Sequence, residues 1–162
     1  MMQRVVDDFR AVMRRFPTGV TIVTTAYGGR PKGFTASAFT SVSAEPPMVL
    51  VCVNRQARSH PLISAAGKFC VNVLQLEQQT LAEDFALHGR EDPFAAFPHR
   101  TAKTGAPVLD GALAFFDCEL ADEHTAGTHT IFIGRVLACA GTSGAPLGYF
   151  DGAYRDFGCR IA

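Results

Sequence analysis

The chain has 162 residues, 48% of them hydrophobic, and its 15 basic and 15 acidic residues balance to zero formal charge. A single domain over residues 1–162 with a sizeable core is the expectation, since domains typically run to about 150 residues. Without a basic excess there is no basis for a non-specific hold on nucleic acid or an anionic membrane, which leaves small molecules and proteins as partners.

Val5, Phe9, Val12, Met13 and Phe16 recur at helical spacing with Arg10, Arg14 and Arg15 off the stripe, so the chain opens with an amphipathic helix over 1–16 that Pro17 ends. This segment is charged throughout and has no apolar run of signal-peptide length, and no stretch approaches the ~20 apolar residues of a membrane span. The five cysteines (Cys52, Cys70, Cys118, Cys139, Cys159) are odd in number and never fall as C-x-x-C. That argues against a disulfide framework and a structural zinc site, and a cytoplasmic, reduced protein is expected.

After the helix the period shortens. "GVTIVTTA" (19–26) is β-branched and stops at the Tyr27-Gly28-Gly29 turn; "FTASAFTSVS" (34–43) reads as the next strand, and "MVLVCV" (48–53) follows Pro46-Pro47 as a buried one. Ser59 is placed to cap a short helix over "HPLISAA" that Gly67 closes; "FCVNVL" (69–74) returns to strand, and "QQTLAEDFALH" is a helix closed by Gly89. Residues 90–107 are the loosest part. "ALAFFDCELADEH" (112–124) sets Phe116, Cys118 and Leu120 on one face and Asp117 and Glu119 on the other, with "HTIFIGRVLACA" (129–140) as its antiparallel partner. "PLGYF" and "AYRDF" form a closing hairpin that turns at Asp151-Gly152. About seven strands with three short helices, mostly antiparallel, give a mainly β chain and a closed or partly closed barrel. No Rossmann glycine fingerprint and no P-loop occur.

The stretch "GFTASAFTSVS" (33–43) combines small side chains with the hydroxyls of Thr35, Ser37, Thr40 and Ser41. Small residues let backbone approach a flat ligand, and N–H groups with hydroxyls suit the edge of a heteroaromatic ring; the same composition would also relieve crowding at a barrel corner. In "VNRQARSHPLI" (53–63), Arg55, Arg58 and His60 surround Ser59 at a helix start, which suits a phosphate as well as it suits an ordinary capped helix. His124 and His129 with Glu123 match no strong zinc spacing, and no metal is expected.

Together these blocks, with "RSHPLI", "GKFCVNVL", "LAEDFA", "GAPVLDGALAFFDCEL", "GTHTIFIGRVLA" and "PLGYFDGAYRDF", resemble the short-chain flavin reductases, the reductase components of two-component flavin-dependent monooxygenases. The likeness runs from about Phe16 to Phe157. It implies an FMN-binding split β-barrel of Greek-key antiparallel strands over 17–158, a homodimer, and reduction of FMN, or of FAD, by NADH or NADPH, with reduced flavin diffusing to a separate monooxygenase. By the same resemblance Phe34, Thr35, Ala36, Ser37 and Ala38 fall on the flavin-ring strand, Cys52, Val53 and Asn54 on the adjoining strand end, and Ser59 at the phosphate-binding helix start. Gln56 and Ala57 stand where relatives often carry hydroxyls, which implies a weaker phosphate grip. His129 falls on the histidine of a Gly-Asp-His motif beside the nicotinamide, here Gly127-Thr128-His129. Tyr149, Phe150 and Tyr154 wall the nicotinamide pocket or pack the hairpin. Hydride transfer between these cofactors needs no protein acid or base, so none is assigned. The alternatives are an oxidase or deazaflavin-dependent reductase on the same barrel, and a non-catalytic FMN- or haem-binding module.

Overall fold

The computed structural model describes residues 1–87 and 93–158. In chain order the elements are α1 (Met2–Met13), β1 (Thr18–Gly19), β2 (Thr21–Tyr27), β3 (Arg30–Ala36), β4 (Phe39–Ala44), β5 (Pro47–Asn54), α2 (His60–Ala66) and β6 (Lys68–Val73). A 3₁₀ turn (Leu76–Gln78) leads into α3 (Gln79–Ala86), and a second one (Pro93–Ala95) precedes β7 (His99–Thr101), β8 (Pro107–Leu109), β9 (Ala114–Ala126), β10 (His129–Gly141), β11 (Leu147–Phe150) and β12 (Ala153–Asp156). No described helix is long and apolar enough to cross a membrane.

Seven strands form one antiparallel sheet in the order β3-β2-β6-β9-β10-β5-β4. Its outermost strands, β3 and β4, are consecutive in the chain and separated only by Ser37 and Ala38. A chain that leaves one edge and joins the other within two residues forces the sheet to curl until its edges meet, which makes it a barrel split along that seam. The strand expected over 34–43 is therefore two strands on opposite edges, and the small residues lie at the corner between them.

Alternation along the strands fills the barrel with Val23, Val49, Val51, Val53, Phe69, Val71, Cys118 and Phe132, and Ile63 of α2 joins them from one end. Outside, α3 lays Leu81, Ala82 and Phe85 over Val20 and Ile22 of the β1–β2 segment. Residues 104–109 cover β6 from the same outer side. Thr104 donates its N–H and its hydroxyl to the carboxylate of fully buried Asp117, and Lys68 Nζ donates to the Thr104 carbonyl at 2.8 Å. Asp117, expected on the face opposite the core, is thus enclosed because a later segment folds over that face. Part of the stretch read as loosest is therefore ordered by these bonds.

Helix α1 ends at Met13, and the N–H groups of Arg15 and Phe16 return to Val12 and Met13 carbonyls in a tight final turn before Pro17. None of its residues is buried, so the stripe of Val5, Phe9, Val12 and Met13 faces outward, continued by exposed Phe16. Gly67 closes α2 in the left-handed region at φ 63°, as its position predicts. The Gly89 end expected for α3 lies outside the described residues; the helix stops at Ala86. The hairpin turn at Asp151-Gly152 is as the sequence predicts, with φ of 51° and 79°.

Burial, and next the nearby Asp117 charge, push the Cys70 thiol far above the ordinary range and that of Cys118 up to about 12. Near pH 8 a thiol reagent should label exposed Cys139 in the folded protein and reach Cys70 and Cys118 only on unfolding. Because the folded values are raised, these thiols stabilise the fold below the unfolded thiol value of about 8.5, and that stability is lost as pH climbs toward 12. Labelling followed by mass mapping checks the first expectation; equal rates at all described cysteines would contradict it.

Candidate functional site

The corner between β3 and β4 is built from side chains with three destinations. Phe34 and Ala36 turn into the barrel cluster. Thr35 points the other way and donates its hydroxyl to the Ala82 carbonyl of α3 at 2.6 Å. Gly33 is on that same outer side, where a Cβ would lie 2.8 Å from the Phe85 ring. Ser37 and Ala38 are exposed. The small-residue pattern thus has two causes: α3 packs close over Gly33 and Thr35, and the corner itself stays open at Ser37 and Ala38. The Thr35 hydroxyl, expected to face a ligand, is committed to α3. At Thr35 and Ala36 backbone is what remains to offer, on an edge strand that is paired on one side only.

The end of β5 adjoins this corner. Cys52 donates its N–H to the Ala38 carbonyl at 3.0 Å and is half-buried, whereas Val53 points into the barrel. Exposed Asn54 then folds the chain back: its Oδ1 accepts the Gln56 N–H at 2.9 Å and its carbonyl accepts the Ala57 N–H at 3.0 Å. This turn brings Arg55 and Arg58 to the surface, and neither guanidinium makes a hydrogen bond or ion pair among the described residues. Ser59 occupies the position before α2 but makes no side-chain cap. Its backbone is already helical (φ −79°, ψ −19°), whereas a capping hydroxyl needs the extended conformation.

His129 pairs with Asn54 across the β10–β5 ladder, and the Arg55 N–H donates to the Thr128 carbonyl at 3.0 Å. The Thr128 hydroxyl lies 2.9 Å from His129 Nδ1, so the residue that replaces the aspartate of the family pattern still orients the imidazole. One position along β10, Thr130 is buried and its hydroxyl meets His60 Nε2 at 2.7 Å. The corner, the β5 end, the Asn54–Ser59 turn and His129 therefore form one hydrogen-bonded block.

Tyr149 and Tyr154 face each other across the β11–β12 hairpin with ring centroids 5.5 Å apart, edge to face. They belong to a separate three-stranded sheet, β1-β11-β12. What joins them to the block is α3: Tyr154 packs against the cluster containing Ala82, the residue whose carbonyl Thr35 holds. Burial first, then the charge of Glu83 and the second ring, raise the Tyr154 hydroxyl above its ordinary value and keep it a neutral donor. Thr18, opposite Tyr149 in the β1–β11 ladder, carries a buried hydroxyl with no partner, the one such side-chain oxygen among the described residues. No pattern in the sequence singles Thr18 out; its orphaned oxygen emerges only when β1 pairs with β11.

These groups fit a flat polar ring with an anionic tail. The open corner offers backbone and small side chains, the turn beyond it offers two cations unpaired among the described residues, and the aromatic pair stands on the hairpin that α3 links to this block. A cleft of about 180 Å³ between α3 and residues 97–110 shares none of these residues.

Comparison with known proteins points the same way. A family model described as a flavin reductase like domain matches residues 13–158. The chain is 42% identical over 140 residues to a probable flavin reductase of Rhizobium meliloti, covering 86% of this chain but 45% of that protein, so it spans less than half of that relative. It is 42% identical over 152 residues to the reductase component of a 4-nitrophenol 4-monooxygenase/4-nitrocatechol 2-monooxygenase of Rhodococcus opacus, covering 93% of this chain and 80% of that one. The crystal structure of nitrilotriacetate monooxygenase component B from Mycobacterium thermoresistibile superposes with a TM-score of 0.91 at 36% identity, over 97% of this chain and 89% of that one. With the split barrel, the corner block and a match that spans nearly all of the chain, the protein belongs to the flavin reductase-like family.

Proposed function

We propose that this protein is a flavin reductase that takes a hydride from NADH or NADPH, reduces FMN or FAD, and releases the reduced flavin to a separate monooxygenase. The observation that carries this reading is the hydrogen-bonded block that joins the open corner at Ser37-Ala38 to the cationic turn at Arg55–Arg58 and to His129, in a chain of this family. Bound together, the two cofactors supply the hydride donor and acceptor; the protein's part is to hold them face to face.

Backbone of Thr35–Ala38 and of Cys52–Asn54 would hold the ring. Arg55 and Arg58, both exposed, would meet the phosphate, with the Ser59 backbone beside them. His129, oriented by Thr128, and the Tyr149–Tyr154 pair would set the nicotinamide. No side chain moves a proton in this scheme. Because Gln56 and Ala57 add no hydroxyl, the phosphate is held mainly by the two solvated cations, which suits a flavin that leaves; micromolar dissociation corresponds to about −8 kcal/mol.

The reading includes a cytoplasmic homodimer. The outward stripe of α1 and the exposed Phe16 are apolar surface that a second copy would cover.

Two substitutions separate the halves of the site. Ala38→Leu places bulk at the exposed corner and should weaken FMN binding by about 1–3 kcal/mol with little change in melting temperature. His129→Ala should raise the KM for the nicotinamide and leave FMN affinity within about threefold, as one neutral hydrogen bond contributes about 0.5–1.5 kcal/mol. Reversed effects would mean that the two ligands have been assigned to the wrong ends.

The function itself is tested by following oxidation of NADH and NADPH with FMN, FAD or no flavin added. The reductase is then placed across a dialysis membrane from a flavin-dependent hydroxylase. Product formed without contact supports diffusible transfer, and no oxidation with either flavin would sink the reductase reading.

A further inference from the structure

The end of α1 is fastened to the turn of the aromatic hairpin. Asp151 donates its N–H to the Arg14 carbonyl at 3.0 Å, and Arg14 Nη2 donates to the Asp151 carbonyl at 3.0 Å. The Asp151 carboxylate lies 3.4 Å from Arg14 Nε and 3.5 Å from Arg15 Nη1. The turn is shaped for this contact: Asp151 sits at φ 51°, and at Gly152 (φ 79°) a Cβ would stand 2.6 Å from Arg14 Nη2. Any side chain there would push the guanidinium away.

Tyr149 and Tyr154 are the second residue pair of the ladder, just beyond that turn. On the other edge the hairpin is paired through the two residues of β1, and at the end away from the turn Leu147 accepts the Val20 N–H and donates to the Leu74 carbonyl, both at 3.0 Å. The helix, with no buried residue of its own, contributes to the barrel chiefly through this fastening.

We propose that Arg14 is a positioning residue for the nicotinamide side of the site, acting through Asp151 to hold the hairpin that carries Tyr149 and Tyr154. This rests on the reading of that tyrosine pair as the nicotinamide wall. Arg14 and Arg15 touch no reacting atom in this arrangement. They fix the height at which the two rings stand, so their loss should appear in nicotinamide KM before it appears in kcat or in flavin affinity.

The test uses the whole chain and three variants: Arg14→Ala, Asp151→Asn, and the two combined. Asparagine tolerates the left-handed backbone, so Asp151→Asn removes charge without straining the turn. The chain has no tryptophan and three tyrosines, two of them in this hairpin, so the tyrosine band in near-ultraviolet circular dichroism reports the ring pair in a Tyr27→Phe background. Each single variant should raise the nicotinamide KM about fivefold, the effect of losing roughly one solvated charge cluster, and should weaken the tyrosine band. In all variants kcat and FMN affinity should stay within about twofold, and the effect of the double variant should fall short of the two single effects combined, since the Arg14–Asp151 carboxylate pair is lost in both. A weakened band with unchanged KM would show that the fastening holds the hairpin but that the hairpin is not the nicotinamide wall. An unchanged band would overturn the fastening itself, and effects that add independently would overturn action through Asp151.

Discussion

Replacing Gly134 with alanine is expected to destabilise the barrel by about 3 kcal/mol, the upper end of the usual overpacking penalty, and valine by more. Gly134 lies mid-strand in β10, and a Cβ there would stand 2.5 Å from Phe69 Cζ and 2.7 Å from Cys118 Cβ. Both neighbours are fully buried, so neither can swing into solvent. The backbone has no room to retreat either, being laddered to Val49 of β5 on one side and Leu120 of β9 on the other. Urea unfolding should show a lower midpoint with an unchanged slope. Adding Phe69→Leu to Gly134→Ala should restore part of the loss, because the clash and the cavity offset one another. Full stability in Gly134→Ala alone would mean that the Phe69 ring turns aside, contrary to a close-packed interior.

Asn72→Leu should cost about 2–4 kcal/mol although leucine has as many side-chain heavy atoms as asparagine, because the loss is in hydrogen bonds that water cannot replace. Asn72 is fully buried; its Oδ1 accepts the Leu109 N–H at 2.8 Å, and its Nδ2 donates to the Ile22 carbonyl at 3.1 Å and to Thr24 Oγ1 at 3.2 Å. One side chain thereby ties β6, β2 and β8 together beneath the cover formed by residues 104–109. Leucine would leave the buried Leu109 N–H with no acceptor. Beyond the shift in midpoint, amide exchange at residues 104–109 should accelerate and Cys70, which they cover, should become open to thiol reagents while Cys118 stays protected. Uniform acceleration across the barrel would instead mean that Asn72 supports the whole fold rather than this cover.

Much of the architecture was legible before any coordinates, and the reason is locality. Alternation along residues 114–141 is a period-two signal, so the β9–β10 pair and the inward set of Cys118 and Phe132 follow from side-chain direction alone. The glycines closing α2 and the last hairpin are legible for the same reason, since a left-handed residue is a property of one position. The ordered blocks from Phe16 to Phe157 likewise pointed to the family that the comparisons show.

What the linear pattern did not contain is which segment lies over which face. Thr35 looks like a ligand hydroxyl until α3 brings the Ala82 carbonyl to it from 47 positions further along. Asp117 reads as an outward carboxylate until Thr104 closes over it, and the corner at Ser37-Ala38 reads as continuous strand until its two halves are found on opposite edges of one sheet. Thr18 and Arg14 carry no periodic signal, and their significance comes from β1 pairing with β11 and from the approach of the Asp151 turn. Composition and periodicity thus determined the barrel and its helices, because those depend on which faces of each element are apolar, and the ordered sequence blocks carried the family resemblance. The tertiary structure decided which polar groups remain free for a ligand, because a hydroxyl or carboxylate loses its availability only when a distant part of the chain arrives to bond it.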